Sequence, residues 1–213
     1  MSLLESVIAA ASLLLFGVYH AWLVSRVRRR PDVTAFGQAR RARAAWVRSV
    51  MTERRDILAV QTLRNWTMGA SFLASTAVIV IMGLLSVVLT SDRLPALVHN
   101  LNLVGSTVDT LLTFKLLCLV ACLLFSFVNF TVAIRYYNHV VMDINVPLEQ
   151  SGAVSCEGVS MLLERGALHY TLGMRGYYLS LLLVLWLFGP LWMVAGSVLL
   201  CLALFGLDRS AGP

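Results

Sequence analysis

The side chains with the most chemical scope lie on one stripe of the third apolar run. Lys115, Cys118, Cys122, Ser126 and Asn129, continued by Ala133, recur at steps of three and four, so a helix would line them up on one face. A cation among hydroxyl and amide groups could attract and pass an anion, with Lys115 as the selectivity charge and Ser126 and Asn129 as polar lining. The other reading is a helix-packing seam, with Lys115 snorkelling to the outer interface. A second stripe, Thr67, Ser71 and Ser75, steps by four along the second apolar run beside Gly69, Ala70 and Ala74. It suits close helix approach, or a second pore wall in which Ser71 and Ser75 face the first stripe.

Histidines offer a different chemistry. His20, His139 and His169, with Asp143 four residues beyond His139, gather towards one side of the membrane. Such groups could hold a metal or a haem, or form a hydrogen-bonded cluster at the interface. No spacing requires a metal, so no metal and no cofactor is predicted. The four cysteines, Cys118, Cys122, Cys156 and Cys201, match no zinc or disulfide framework and read as small packing residues. No nucleophile–base pair stands out.

These side chains need elements to hold them. Of 213 residues, 59% are hydrophobic and only 13% charged, against about 25% charged in a soluble domain. The predicted fold is an all-α integral membrane protein with four transmembrane helices, at about 3–24, 66–90, 111–134 and 177–205. The third span tolerates Lys115, because about fifteen Leu, Ile, Phe and Val residues offset a cost of roughly 2.5–3.5 kcal/mol. Ser106 to Asp109 resembles a capping box at its start.

Topology follows from the basic residues. The net charge is +6, and eleven of seventeen Lys and Arg residues are arginines between Arg26 and Arg64. That excess places residues 26–65 in the cytoplasm and the N-terminus outside. Four spans then put the C-terminus outside too, with a second inner loop at 135–176. Tyr19, His20 and Trp22 fall at the inner end of the first span. Pro31 ends that helix. From Phe36 to Asp56 the pattern is helical and imperfectly amphipathic. Arg41, Arg48 and Arg55 repeat every seven residues on one side, opposite Trp46, Val47 and Val50, although Arg43 and Arg54 intrude. Such a helix can rest on the inner leaflet with Arg41, Arg48 and Arg55 on anionic headgroups, or be a solvated loop. In the second inner loop Val159 to Tyr170 suggests a short amphipathic helix. Gly189-Pro190 predicts a kink within the fourth span. Nucleic-acid motifs are absent, so the expected partners are the bilayer and its anionic lipids.

Several segments occur together in order: Tyr19-His20, Leu58 to Asn65, Ser71 to Ala77, Arg135-Tyr136-Tyr137-Asn138-His139 and Met174 to Tyr178. On these the chain resembles the domain-of-unknown-function family five-nine-nine, from about Tyr19 to Pro190. The resemblance implies a multi-spanning protein and supplies no activity. It draws attention to a cytoplasmic-side cluster of Arg64, Asn65, Arg135, Asn138 and His139, with Asp143 and His20 nearby.

Three functions are open at this point. One is a homo-oligomeric, anion-leaning channel or transport path, since four spans are few to enclose a pore. Another is a scaffold or accessory subunit that binds anionic lipid or a partner through the arginine-rich segment. The third is a metal- or haem-binding enzyme subunit. The location expected in each case is the cell membrane, the inner one if the source is a Gram-negative bacterium.

Overall fold

A computed structural model describes residues 3–29, 34–90, 109–147 and 154–208. Among these the elements are all helices: α1 (Leu3–Arg29), α2 (Ala35–Glu53), α3 (Asp56–Thr90), α4 (Asp109–Ile144), α5 (Cys156–Leu187) and α6 (Pro190–Asp208). The expected capping box at Ser106, the break at Pro31 and the outer loop lie outside the described residues. α4 packs most extensively on α5 and then on α3, while α1 packs on α6.

α3 and α4 have 35 and 36 residues, about 52–54 Å of helix against about 30 Å of hydrocarbon in a bilayer. Each is several turns longer than a bilayer crossing needs, and the start of α3 and the end of α4 pack together. There α2 closes over the starts of α3 and α5 and the end of α4. Thr34 caps α2, its hydroxyl accepting from the Gly37 N–H at 3.2 Å. Arg54 ends the helix in the left-handed region at φ 55°. The chain turns there straight into α3. Val47, Val50 and Met51 of α2 join Ala59, Leu63, Tyr137, Val140, Val159 and Leu163 in one buried core. The helix expected over 36–56 is thus present. It is neither a free helix on the leaflet nor a solvated loop, because its apolar stripe is consumed by this core.

The segment read as a second inner loop is mostly helical. Only a short connection follows α4. The amphipathic turn at Val159 to Tyr170 is the first half of α5, which continues without interruption to Leu187. Ser155 starts it, its Oγ accepting from the Gly158 N–H at 3.0 Å. The chain gains by continuing. The apolar positions of the first half extend the basic-end core, and those of the second half pack on α4 and α6.

The predicted fourth span, 177–205, is two helices rather than one kinked helix. Phe188 and Gly189 break it, with Gly189 at φ 132°, a conformation open to glycine. Pro190 then occupies the first position of α6, where it has no donor to leave unpaired. Beyond the break the chain reverses. Gly196 sits against Leu185 and Leu182, residues that a continuous helix would hold about 16–21 Å away along its axis. Leu204 clusters with Leu182, beside Tyr178 and Leu200. α5 and α6 therefore form an antiparallel hairpin, and the C-terminal end of α6 returns towards the arginine-rich end. Trp22 of α1 meets Phe205 there, ring centroids 6.1 Å apart.

Two helices, over Asp56–Ser86 and Leu111–Ile144, are long and apolar enough to cross a membrane. Only 22% and 33% of their apolar windows are buried, unlike core helices of a soluble domain. Large apolar side chains such as Phe72, Ile79, Leu117 and Leu199 face outwards instead.

Candidate functional site

The polar stripe of α4 faces α5. The two helices run antiparallel, and α5 presents three glycines to α4. Gly166 lies on Tyr137, Gly173 on Phe130 and Gly176 on Ser126; a Cβ on Gly173 would come within 2.7 Å of the Phe130 ring. Backbones this close let short side chains reach across. The Cys122 thiol donates to the Gly176 carbonyl at 3.2 Å. Ser126 donates to the Cys122 carbonyl at 3.1 Å within α4.

Asn129 forms the most specific contact of the seam. Its Nδ2 donates to the Phe125 carbonyl at 2.9 Å. That fixes Oδ1 as the atom 3.0 Å from His169 Nδ1. An amide oxygen only accepts, so Nδ1 of His169 carries the proton. Tyr136 stacks on the same imidazole at 5.7 Å. His169 is therefore held by an amide and an aromatic ring. Sequence reasoning missed this pairing because forty residues separate the partners.

Lys115 is buried, 3% exposed, at the other end of the seam. Its Nζ donates to the Trp186 carbonyl at 3.1 Å and lies 5.1 Å from the Trp186 ring centroid. This places the ammonium at the C-terminal end of α5, where the last carbonyls lack helical partners and the helix dipole is negative. The break at Gly189-Pro190 and the lysine in an apolar run thus explain each other. Among the described residues the Trp186 indole N–H has no hydrogen-bond partner.

The second stripe does not meet the first. Ala70, Ala74 and Ala77 form the buried face of α3, while Ser71 and Ser75 are exposed. Ser126 and Asn129 are buried against α5. Within one chain the stripes line no common path.

The arginine-rich end contains the remaining candidates. Arg64, Asn65, Arg135, Asn138 and His139 are exposed and Asp143 is half-buried. Among the described residues no side-chain hydrogen bond or ion pair joins any two of them. The His20 side chain lies outside the described residues. No group of three or more His, Cys, Asp or Glu among the described residues is placed to hold a metal. Of the seven-residue repeat, Arg41 is exposed, Arg48 is 3.6 Å from Glu157, and Arg55 pairs with Glu53.

Arg43, out of place in the amphipathic pattern, has a specific role. Its Nε and Nη2 donate to Glu164 Oε2 at 3.1 and 2.9 Å, with side chains only 19% and 22% exposed. The pair clamps α2 to α5. Beside it a groove of about 520 Å³ runs between the two helices, lined by Phe36, Arg40, Ala44 and Arg48 on one side and by Glu157, Met161, Arg165 and Leu168 on the other.

Fold and site together define an all-helical bundle with helices of membrane-crossing length, tied at one end by an arginine-bearing amphipathic helix. The chain belongs to the family described as "Protein of unknown function, DUF599", whose model matches residues 7–212. No curated protein and no solved structure matches it.

Proposed function

We propose that this protein is a multi-pass protein of the cell membrane, the inner one in a Gram-negative bacterium, that serves as a scaffold or accessory subunit. Its arginine-rich end faces the cytoplasm and binds anionic lipid or an acidic partner. The observation that carries the reading is α2. Its apolar face is fixed in the basic-end core, and Arg43–Glu164 locks it, so Arg40, Arg41 and Arg48 are held outwards on a rigid helix. Fixed cations at the edge of a bilayer attract anionic headgroups, each by about 1 kcal/mol. The positive-inside rule supports an external N-terminus. The α5–α6 hairpin supports five crossings with an internal C-terminus, in place of four and an external one. Melting of the detergent-purified protein with added phosphatidylglycerol or phosphatidylcholine tests the reading. Phosphatidylglycerol should raise the melting temperature and phosphatidylcholine should not. Equal effects of the two lipids would end it.

Lys115 favours a second reading, a homo-oligomeric anion path. Ser71 and Ser75 open outwards and would line such a path between copies, whereas Lys115, buried against α5, would act on it from inside the α4–α5 seam. Chloride flux from liposomes that is unchanged in Lys115→Met would remove this reading.

A further inference from the structure

We propose that the groove between α2 and α5 is a binding site for one anionic phospholipid of the inner leaflet, with Arg40 and Arg165 as the phosphate clamp. This rests on the lipid-binding reading above and assigns it to specific residues.

The charges of the groove do not cancel. Glu164 is taken by Arg43, and Glu157 faces Arg48. Among the described residues Arg40 and Arg165 form no ion pair and no side-chain hydrogen bond, although both line the groove. Two guanidiniums without carboxylates leave a surplus of positive charge in a concave, partly apolar site. Guanidinium forks match phosphate oxygens in geometry as well as charge. Ser160 lines the same space.

The apolar residues say from which side the ligand enters. Arg43 pairs with Glu164 and Arg48 with Glu157, so α2 and α5 run antiparallel. The end of the groove with Phe36, Arg40, Arg165 and Leu168 is therefore the end nearer the glycine seam and the apolar half. Leu168 is 46% exposed there, and Met161, further back along the groove, is 58% exposed. A molecule with a phosphate and an acyl chain satisfies both features, with the headgroup between the arginines and the chain leaving over Leu168. A free phosphate or an acidic peptide would leave those apolar side chains in water. Basic pockets between helices at the cytoplasmic side suit such headgroups.

The test uses the full chain in an uncharged detergent, with melting and native mass spectrometry as readouts. Phosphatidylglycerol at saturating mole fraction should raise the wild-type melting temperature by about 5 °C and leave one retained lipid. Arg40→Gln/Arg165→Gln should lose both, while Arg54→Gln/Arg64→Gln, exposed and outside the groove, keeps them. Leu168→Asp leaves the arginines in place and should also lose the retained lipid. This keeps the proposal testable if the double glutamine variant melts early without lipid. A lipid shift that survives in Arg40→Gln/Arg165→Gln would overturn the groove and leave the arginine face. A shift produced equally by inorganic phosphate would overturn the lipid as ligand. A wild type that does not respond to phosphatidylglycerol would remove the function proposed above as well.

Discussion

The two ends of this bundle are held together by opposite means. At the arginine-rich end four helices bury large side chains, Val50, Leu63, Val140 and Leu163 among them, and expose charge. That is the arrangement of a water-soluble helical core, where removal of apolar surface from water drives packing. In the other half the outward side chains are as apolar as the inward ones, so burial gains little if lipid surrounds it. Besides a buried cluster that includes Leu119, Leu183 and Trp186, α4 and α5 meet there through glycine, serine and cysteine, with backbones close enough for a thiol to reach a carbonyl across the seam. The same α4 and α5 run through both regimes. The change from one to the other comes between Gly166, packed on Tyr137, and Gly176, packed on Ser126.

The comparison breaks most visibly under truncation. Leu163 is fully buried in the basic-end core, so Leu163→Ala should destabilise the protein by about 2–5 kcal/mol. Leu117 faces outwards in the apolar half, 57% exposed. Its truncation should cost less than about 0.5 kcal/mol, as for a side chain with little packing to lose. Equilibrium unfolding in mixed micelles reads both. Comparable losses would mean that a partner chain, and not lipid, covers the Leu117 face.

The converse change sharpens the contrast. Gly173→Val adds bulk where Phe130 leaves none and should cost about 1–3 kcal/mol by overpacking. Gly69 has nothing within 4 Å of a Cβ, so Gly69→Val should be close to neutral. Thermal melting of the two variants side by side is the measurement. A seam that accepts Val at 173 without loss would show that α4 and α5 do not approach as closely as described.

Local patterns legible in the sequence were those whose physics is local. The apolar runs over 66–90 and 111–134 lie in helices, and the amphipathic stretch from Phe36 forms α2. The stripe from Lys115 to Asn129 lies on one face because helical periodicity alone places it there. Its partner was not legible. The glycines of α5 that receive it carry no side chain and give no periodic hydrophobic signal. The hairpin was also hidden: Gly189-Pro190 fits a kink and a reversal equally well. What decides between them is the packing of Gly196 on Leu182 and Leu185. Arg43 looked like an error in the amphipathic pattern, since its partner Glu164 lies 121 residues away. The groove residues Arg40 and Arg165 had no signal at all, because a cation that lacks an ion pair is visible only once the carboxylates have been assigned.

The smallest effect concerns the clamp between the two regimes. Arg43 and Glu164 are mostly shielded from water and share a two-donor contact, whereas Arg48 and Glu157 are 72% and 76% exposed and 3.6 Å apart. A shielded, charge-assisted pair retains more of its Coulomb energy than one in bulk water, and screening by salt affects it less. Double-mutant cycles with Arg43→Gln and Glu164→Gln should give a coupling of about 1–2 kcal/mol, against less than about 0.5 kcal/mol for Arg48→Gln and Glu157→Gln. Raising the salt from 0.05 to 0.5 M, roughly, should abolish the second coupling and leave most of the first. Couplings below about 0.5 kcal/mol for both pairs would mean that α2 is held by its apolar stripe alone. The arginine face would then be free to rock against α5, and a groove of fixed width between the two helices could not persist.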